Sequence, residues 1–376
     1  MEFKDLKSQY QYLKPQIDEA VQKVMEKAEF IGGGQVQKLE EELAFYVGKK
    51  YCITCGNGTD ALSLALKIWE VGEGDAVFVP DFTFFSSGEC PANEGATPIF
   101  VDVNKNTYNI EPDCLEKAII KVLHDGVLVP KVVIAVDLFG QPAEYDKIKN
   151  LCNKYSLYLL EDGAQGFGGA INGKMACSFG DISTTSFFPA KPLGGYGDGG
   201  AIFTDNEEWA LLLRSIAVHG KNAADKYDNI RLGINSRLDS LQAAILRVKL
   251  KAFKEYELET VNRVAEWYGE NLINTHLHLP TVKQTYISSW AQYTIRVGKD
   301  MNRDALQKYL THQGIPTMVY YKKPMHMQGA FKNTESAKSV CPMTTELCDT
   351  VLSLPMHPYM KINDVKLVAE KIKEFC

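Results

Sequence analysis

The segment 184–200 reads TTSFFPAKPLGGYGDGG: one lysine, Lys191, stands among polar residues and five glycines, with proline directly after it. A lysine that serves only solubility needs no such surroundings. One that attacks a bound carbonyl does, because glycines let the backbone turn sharply beside the amine without obstructing it. Ser186, five residues earlier, brings out a hydroxyl on the same segment. Glu161 and Asp162 close the apolar run LYLL and lead into Gly163, Ala164 and Gln165. Consecutive acids on a strand face opposite ways, so one points inward, where an unpaired carboxylate is costly. Asp162 then either pairs with a protonated ring nitrogen, with Gln165 on a ring substituent, or caps the next helix. Asn57, Gly58 and Thr59 follow the run YCITC and open the helical pattern TDALSLALKIW. Such a helix start holds an anion on its free N–H groups, although Gly-Thr-Asp is also a common N-cap arrangement. Phe84, in DFTFFSS, either lays its ring on a flat ligand or packs in the core.

Each of these features has an ordinary reading alone. In this order, each after its own strand, they are the parts that pyridoxal phosphate requires: a cup for the phosphate, an acid at the pyridine nitrogen and a lysine as covalent anchor.

The elements that must position them are short apolar runs alternating with helical periodicity. YCIT, AVFVP, PIFVDV, KVVIAVDLFG and LYLLED are separated by helices of 10–15 residues, which predicts parallel β-α-β units. Ligands in such sheets sit beyond the carboxyl ends of the strands. The expected architecture is α/β, a large domain over 1–250 whose mostly parallel sheet is covered on both faces. A smaller α+β domain is expected over 251–376, built from a long charged helix, the strand AQYTIRV, the helix RDALQKYLTHQG, a short strand PTMVYY and the closing helix INDVKLVAEKIKEF. Two amphipathic helices broken by FIGGGQ precede the sheet and wrap the large domain or a neighbouring chain.

The composition, 45% hydrophobic and 23% charged with net charge −6, is that of a globular chain without a basic footprint for nucleic acid. The polar start lacks the apolar core of a signal peptide, and no apolar run is long enough to span a membrane, so a cytoplasmic location is expected. Nine cysteines follow no disulfide-framework spacing. Cys52 and Cys55 match C-x-x-C, but on a strand their thiols diverge, and no second pair completes a zinc site. No metal is expected.

NGTDAL, ATPIFVDV, LEDGAQ, SFFPAKPLGGYGDGGAIFT and GINSRLDSLQAAIL resemble the DegT/DnrJ/StrS family of fold-type-I sugar aminotransferases over nearly the whole chain. In texture the chain is most similar to enzymes that aminate the 3-keto group of UDP-linked keto-glucuronic acid. The resemblance implies that Lys191 anchors the cofactor and moves the proton. It also implies that Asp162 keeps the pyridine nitrogen protonated, Gln165 meets the ring hydroxyl, and Phe84 covers the ring. Thr59, Asp60 and Ser186 would bind the phosphate, and Asn235 of a second subunit would reach it, in a homodimer with shared sites. Arg237, His219, Tyr320, Tyr321 and Lys322 lie on segments that face the substrate in the family. Two departures stand out: Gly163 where relatives carry Ala or Cys, and YYKK at 320–323 where relatives carry an aromatic followed by proline. Lys322 and Lys323 motivate a rival substrate, a small phosphorylated ketone. A dehydratase would carry histidine in place of Lys191. A regulatory protein on an inactive aminotransferase fold would need an output module, and the sequence shows no spare segment for one.

Overall fold

A computed structural model describes residues 1–225, 227–298 and 300–375. Helices α1 (Leu6–Lys27) and α2 (Gly33–Val47) precede the sheet. The alternation continues with β1 (Tyr51–Cys55), α3 (Gly58–Ile68), β2 (Asp75–Pro80), α4 (Ser86–Asn93), β3 (Thr97–Val101) and α5 (Pro112–Asp125). It goes on through β4 (Val129–Val136), α6 (Tyr145–Tyr155), β5 (Tyr158–Asp162), the short β6 (Ala170–Ile171) and β7 (Lys174–Met175), and β8 (Ile182–Ser186). β9 (Gly200–Thr204) and α7 (Glu207–Ile216) complete the layer.

The main sheet has the order β1-β9-β8-β5-β4-β2-β3. β9 alone runs opposite to its neighbours, and all the other pairings are parallel. Both faces are buried, which is why the strands read as continuous apolar runs rather than as alternation. The carboxyl ends of β1, β2, β4, β5 and β8 therefore open on one edge. Register places Asp162 between Val136 and Thr184 at that edge. The thiols of Cys52 and Cys55 diverge as expected: Cys52 packs with Leu39 and Phe203, and Cys55 on the other face with Ala61 and Ile202. The eight cysteines described are unpaired, and Cys376 lies outside the described residues.

α8 (Ser240–Ala252) runs through a π-helical turn, Phe253–Glu257, into α9 (Leu258–Leu272), so residue 250 falls inside one helical run. After β10 (Tyr286–Ile287) come β11 (Tyr293–Arg296), α10 (Arg303–His312), α11 (Pro342–Thr350), β12 (Val351–Leu354) and α12 (Ile362–Phe375). β11 and β12 pair antiparallel, and α9, α10 and α12 close a separate core on them around Tyr268, Ile295, Leu306 and Val368.

The strand expected at PTMVYY does not form. Met318 makes one isolated bridge to Ser353, and the chain then turns back toward the large domain. Apolar burial decides this. Tyr320 and Tyr321 pack against the large core, and Met325 donates its N–H to Asp81 O at 3.0 Å. Met325, Phe331 and Leu347 belong to that same core.

Candidate active site

The strand ends bring most of the expected residues together. Asn57 caps α3, accepting the Asp60 N–H on its side chain at 2.8 Å. Gly58 stands so close to β8 that a Cβ on it would lie 2.7 Å from the Ser186 Cβ. Gly200 is equally constrained, with its missing Cβ 2.5 Å from Asn57 O. The free N–H groups of α3 and the Ser186 hydroxyl thus form one cradle of anion-holding donors. Thr59 Oγ1 lies 3.0 Å from Ser86 Oγ on the same edge.

The acid pair splits as its alternation requires. Glu161 points into the protein and accepts from the N–H groups of Cys177, Phe179 and Gly180 and from Ser183 Oγ. Asp162, 7% exposed, turns the other way. Its Oδ2 accepts from Ser87 Oγ at 3.0 Å and its Oδ1 from the Ala164 N–H at 3.2 Å. Burial raises the Asp162 pKa, and the Ala164 N–H, the Lys191 charge and Ser87 pull against it. Burial likewise lowers the Lys191 pKa, and the Asp162 charge opposes that. The Lys191 side chain makes no hydrogen bond or ion pair among the described residues. A buried carboxylate with two neutral donors lacks a cation, and the lysine beside it lacks a partner.

Gln165 is held from both ends, its Oε1 accepting the Phe139 N–H at 2.8 Å and its Nε2 donating to Tyr321 OH at 3.2 Å. Phe84 is 54% exposed, so the core reading of this ring fails. Its ring centroid stands 6.4 Å from that of Tyr321. Gly163 has a local reason: a Cβ there would sit 2.5 Å from Cys177 Sγ.

Other expected residues are not drawn into this group. Asn235 and Arg237 are exposed, although Ser236 between them ties the segment to the α3 turn. Its Oγ accepts the Gly56 N–H at 2.8 Å and donates to Asp60 at 2.6 Å. His219 lines an open cleft of about 670 Å³ with Arg231 and Leu232. Lys322 and Lys323 are exposed and line none of the cavities described.

These residues fit pyridoxal phosphate: a cradle that a Cβ would fill, a buried acid without a cation, and an unpartnered lysine. The model of the DegT/DnrJ/EryC1/StrS aminotransferase family matches residues 11–373. The chain belongs to that family. It is 42% identical to a UDP-2-acetamido-2-deoxy-3-oxo-D-glucuronate aminotransferase of Pseudomonas aeruginosa, with 98% of each chain covered. It is 39% identical to a pleiotropic regulatory protein of Geobacillus stearothermophilus, covering 99% of this chain and 97% of that one. A crystal structure of a family member from Brucella abortus superimposes with a TM-score of 0.96 at 42% identity, over 100% of this chain and 99% of the other.

The chain is thus a pyridoxal-phosphate-dependent aminotransferase of the α/β class. When bound, the cofactor supplies an electron sink for carbanion chemistry. Sequence reasoning missed several of the aminotransferase's supporting groups. Ser87 holds Asp162, Ser86 meets Thr59 and Ser236 braces Asp60, while Tyr321, expected only on the substrate side, orients Gln165. The hydroxyl-rich helix start SSGEC directly after Phe85 was the available signal for the first two. The others depend on contacts 156 and 176 residues apart in sequence, which no local pattern carries.

Proposed function

We propose that this enzyme transfers an amino group from glutamate to the keto carbon of a nucleotide-linked sugar. In this reading Lys191 anchors the cofactor and carries the proton, and Asp162 holds the pyridine nitrogen protonated. Gln165 meets the ring hydroxyl and Phe84 covers the ring. The α3 N–H groups of Gly58 and Thr59 bind the phosphate with Ser186, whereas the Asp60 N–H, expected among them, is taken by the Asn57 side chain. The single observation that carries it is the juxtaposition of buried Asp162, partnerless Lys191 and the Gly58–Ser186 cradle at one sheet edge. Similarity to a UDP-keto-sugar enzyme along the whole chain supports the sugar substrate. The rival phosphorylated ketone loses support because the lysines that motivated it are exposed and away from the cavities. A purely regulatory role gives no reason for an unpartnered lysine beside a buried acid at the strand ends.

The exposed Asn235 and Arg237, with His219, are assigned to the site of a second subunit, and Tyr320 and Tyr321 to the substrate side of their own. A cytoplasmic homodimer serving polysaccharide precursor synthesis is the setting we infer. Among the described residues no helix is long and apolar enough to cross a membrane.

The test is borohydride reduction of the holoenzyme with peptide mapping, followed by a screen of keto substrates. The label is expected on Lys191, glutamate is expected to discharge the visible absorbance of the bound cofactor, and a UDP-keto-sugar is expected to restore it. A label elsewhere would refute the cofactor assignment. Restoration by a triose phosphate ketone in preference to the sugar would refute the substrate.

A further inference from the structure

The residues ahead of α1 form a strap past Lys191. Phe3 O accepts the Met356 N–H at 3.2 Å, and the Phe3 ring lies 6.3 Å from that of Tyr320. Behind the strap is a small cavity of about 40 Å³ whose walls include Lys4, Gln9, Lys191, Trp290, His357 and Tyr359. None of Asp162, Gln165, Phe84 or Ser186 lines it, so it meets the strand-end site only at Lys191.

Its polar groups are unmatched. The Lys4 ammonium pairs with no carboxylate among the described residues, and both acids on the cavity wall are already engaged. Asp5 accepts from the Ser8 N–H at 2.8 Å and from Ser8 Oγ at 2.6 Å. Glu257 accepts from Gln9 Nε2 at 2.9 Å and from Tyr359 OH at 2.7 Å. His357 is 6% exposed and its Nδ1 has no partner, nor has Gln9 Oε1. Burial and then the Lys191 charge lower the Lys4 pKa to about 8. Burial lowers the His357 pKa to about 4, leaving the ring neutral near pH 7. A neutral imidazole keeps one ring nitrogen as an acceptor, and Nδ1 is left without a partner. Buried polar groups of native proteins are almost always paired, and an unpaired cation beside an unpaired acceptor is a vacant complement to a ligand.

We propose that Lys4 and His357 form a carboxylate subsite next to Lys191. Lys4 pairs with a carboxylate of one of the reactants, and His357 Nδ1 accepts from a hydroxyl or ammonium beside that carboxylate. The subsite rests on the aminotransferase reading above and makes Lys4 a specificity-determining residue. Two reactants could bring the carboxylate, an acidic sugar or the amino donor, and the two half-reactions separate them.

The experiment compares wild-type holoenzyme with Lys4→Met and Lys4→Arg. It follows the cofactor absorbance in single turnover with glutamate, then with a keto-uronate and with its uncharged 6-hydroxymethyl counterpart. A third arm titrates succinate as an unreactive dicarboxylate. Loss of a charge-assisted hydrogen bond is expected to raise the half-saturating concentration of the carboxylate reactant, and the succinate Kd, by about tenfold or more. The limiting rate is expected to change far less, Lys4→Arg to recover most of the affinity, and the uncharged sugar to be unaffected. A shift confined to the uronate names the sugar as the source, and one confined to glutamate names the donor. If Lys4→Met leaves both half-reactions and succinate binding within about twofold of wild type, the subsite is overturned. If wild type itself ignores glutamate, the function proposed above fails, while the succinate arm still decides the subsite.

Discussion

Asp162 is a carboxylate that burial pushes toward its protonated form, with only Ser87, the Ala164 N–H and the charge of Lys191 pulling the other way. A protonated ring nitrogen placed against it would restore the charged form, because an opposite charge in a desolvated site outweighs the burial penalty. Asp162→Asn keeps the shape and the Ser87 contact but removes that charge. It is expected to bind cofactor, to take the borohydride label on Lys191, and to lose roughly 10²–10⁴ in turnover, the range of a misplaced proton-transfer partner. Turnover within about threefold of wild type, measured with saturating glutamate, would show that the pyridine nitrogen needs no acid here. The candidate site was legible to unequal degrees. Asp162 stands out because it ends an apolar run with a group whose burial needs a reason, Lys191 because it is isolated among glycines, and the Gly58 turn because it follows a strand so closely. Lys4 gave no such sign: in MEFKDLKSQY it reads as an ordinary surface lysine, and only the strap across Lys191 makes it otherwise.

At the scale of elements, α1 is joined to the large domain through α8. Leu13 and Ile17 pack on Ile245 and Ala252, with Tyr10, Tyr196 and Val248 around them. The same face of α8 buries Lys249, which is 1% exposed, and its ammonium lies 4.8 Å from the centre of the Tyr196 ring. No carboxylate forms an ion pair with it among the described residues, and burial lowers its pKa from 10.5 to about 8 against the pull of Glu257. Below about pH 8 both folded and unfolded chains carry this charge, so the desolvation penalty is felt in full. Between pH 8 and 10.5 the unfolded chain keeps a proton that the folded chain has released, and stability rises with pH. Lys249→Met is therefore expected to stabilise the protein at pH 7 by about 1–3 kcal/mol, the gain seen when a buried charge gives way to an apolar side chain, less the lost cation–π contact. It should also flatten the rise above pH 8. Urea midpoints at pH 7 and pH 10 check both, and a variant less stable at pH 7 would mean that the ammonium has a structural partner. The pattern of α1 and α8 was plain in their 3.6-residue periodicity. The strand order was not, because β9 enters between β1 and β8 from 145 residues beyond β1, and periodicity says which face is buried but not against what. PTMVYY failed for the same reason: its β-forming residues are used as apolar anchors on the large core.

At the scale of the whole molecule, the segment after α7 bears on the proposed dimer because it carries exposed apolar side chains. Leu232 is 97% exposed, Ile230 is 52% exposed, and together with His219 and Arg231 they border an open cleft. Apolar side chains carried on such a loop seek a partner surface. The nearby Asn235 and Arg237 are exposed, although Ser236 ties their backbone to the turn before α3 of their own chain. If Asn235 completes the phosphate cup of a second subunit, each site draws Lys191 from one chain and Asn235 from the other. That division of labour has a consequence that a self-contained site cannot imitate. Lys191→Ala and Asn235→Asp are each expected to be nearly inactive, the first without an anchor and the second with a carboxylate facing the phosphate. Unfolded together and refolded as a mixture, half of the dimers pair one variant with the other, and each such dimer has one site carrying both lesions and one site intact. Random pairing then returns about a quarter of wild-type activity per chain. Recovery of that size, in a species that elutes as a dimer, requires sites shared across the interface. Two variants that remain as inactive together as apart, although each still binds cofactor or dimerises, would place Asn235 in its own subunit's site and remove the shared cup.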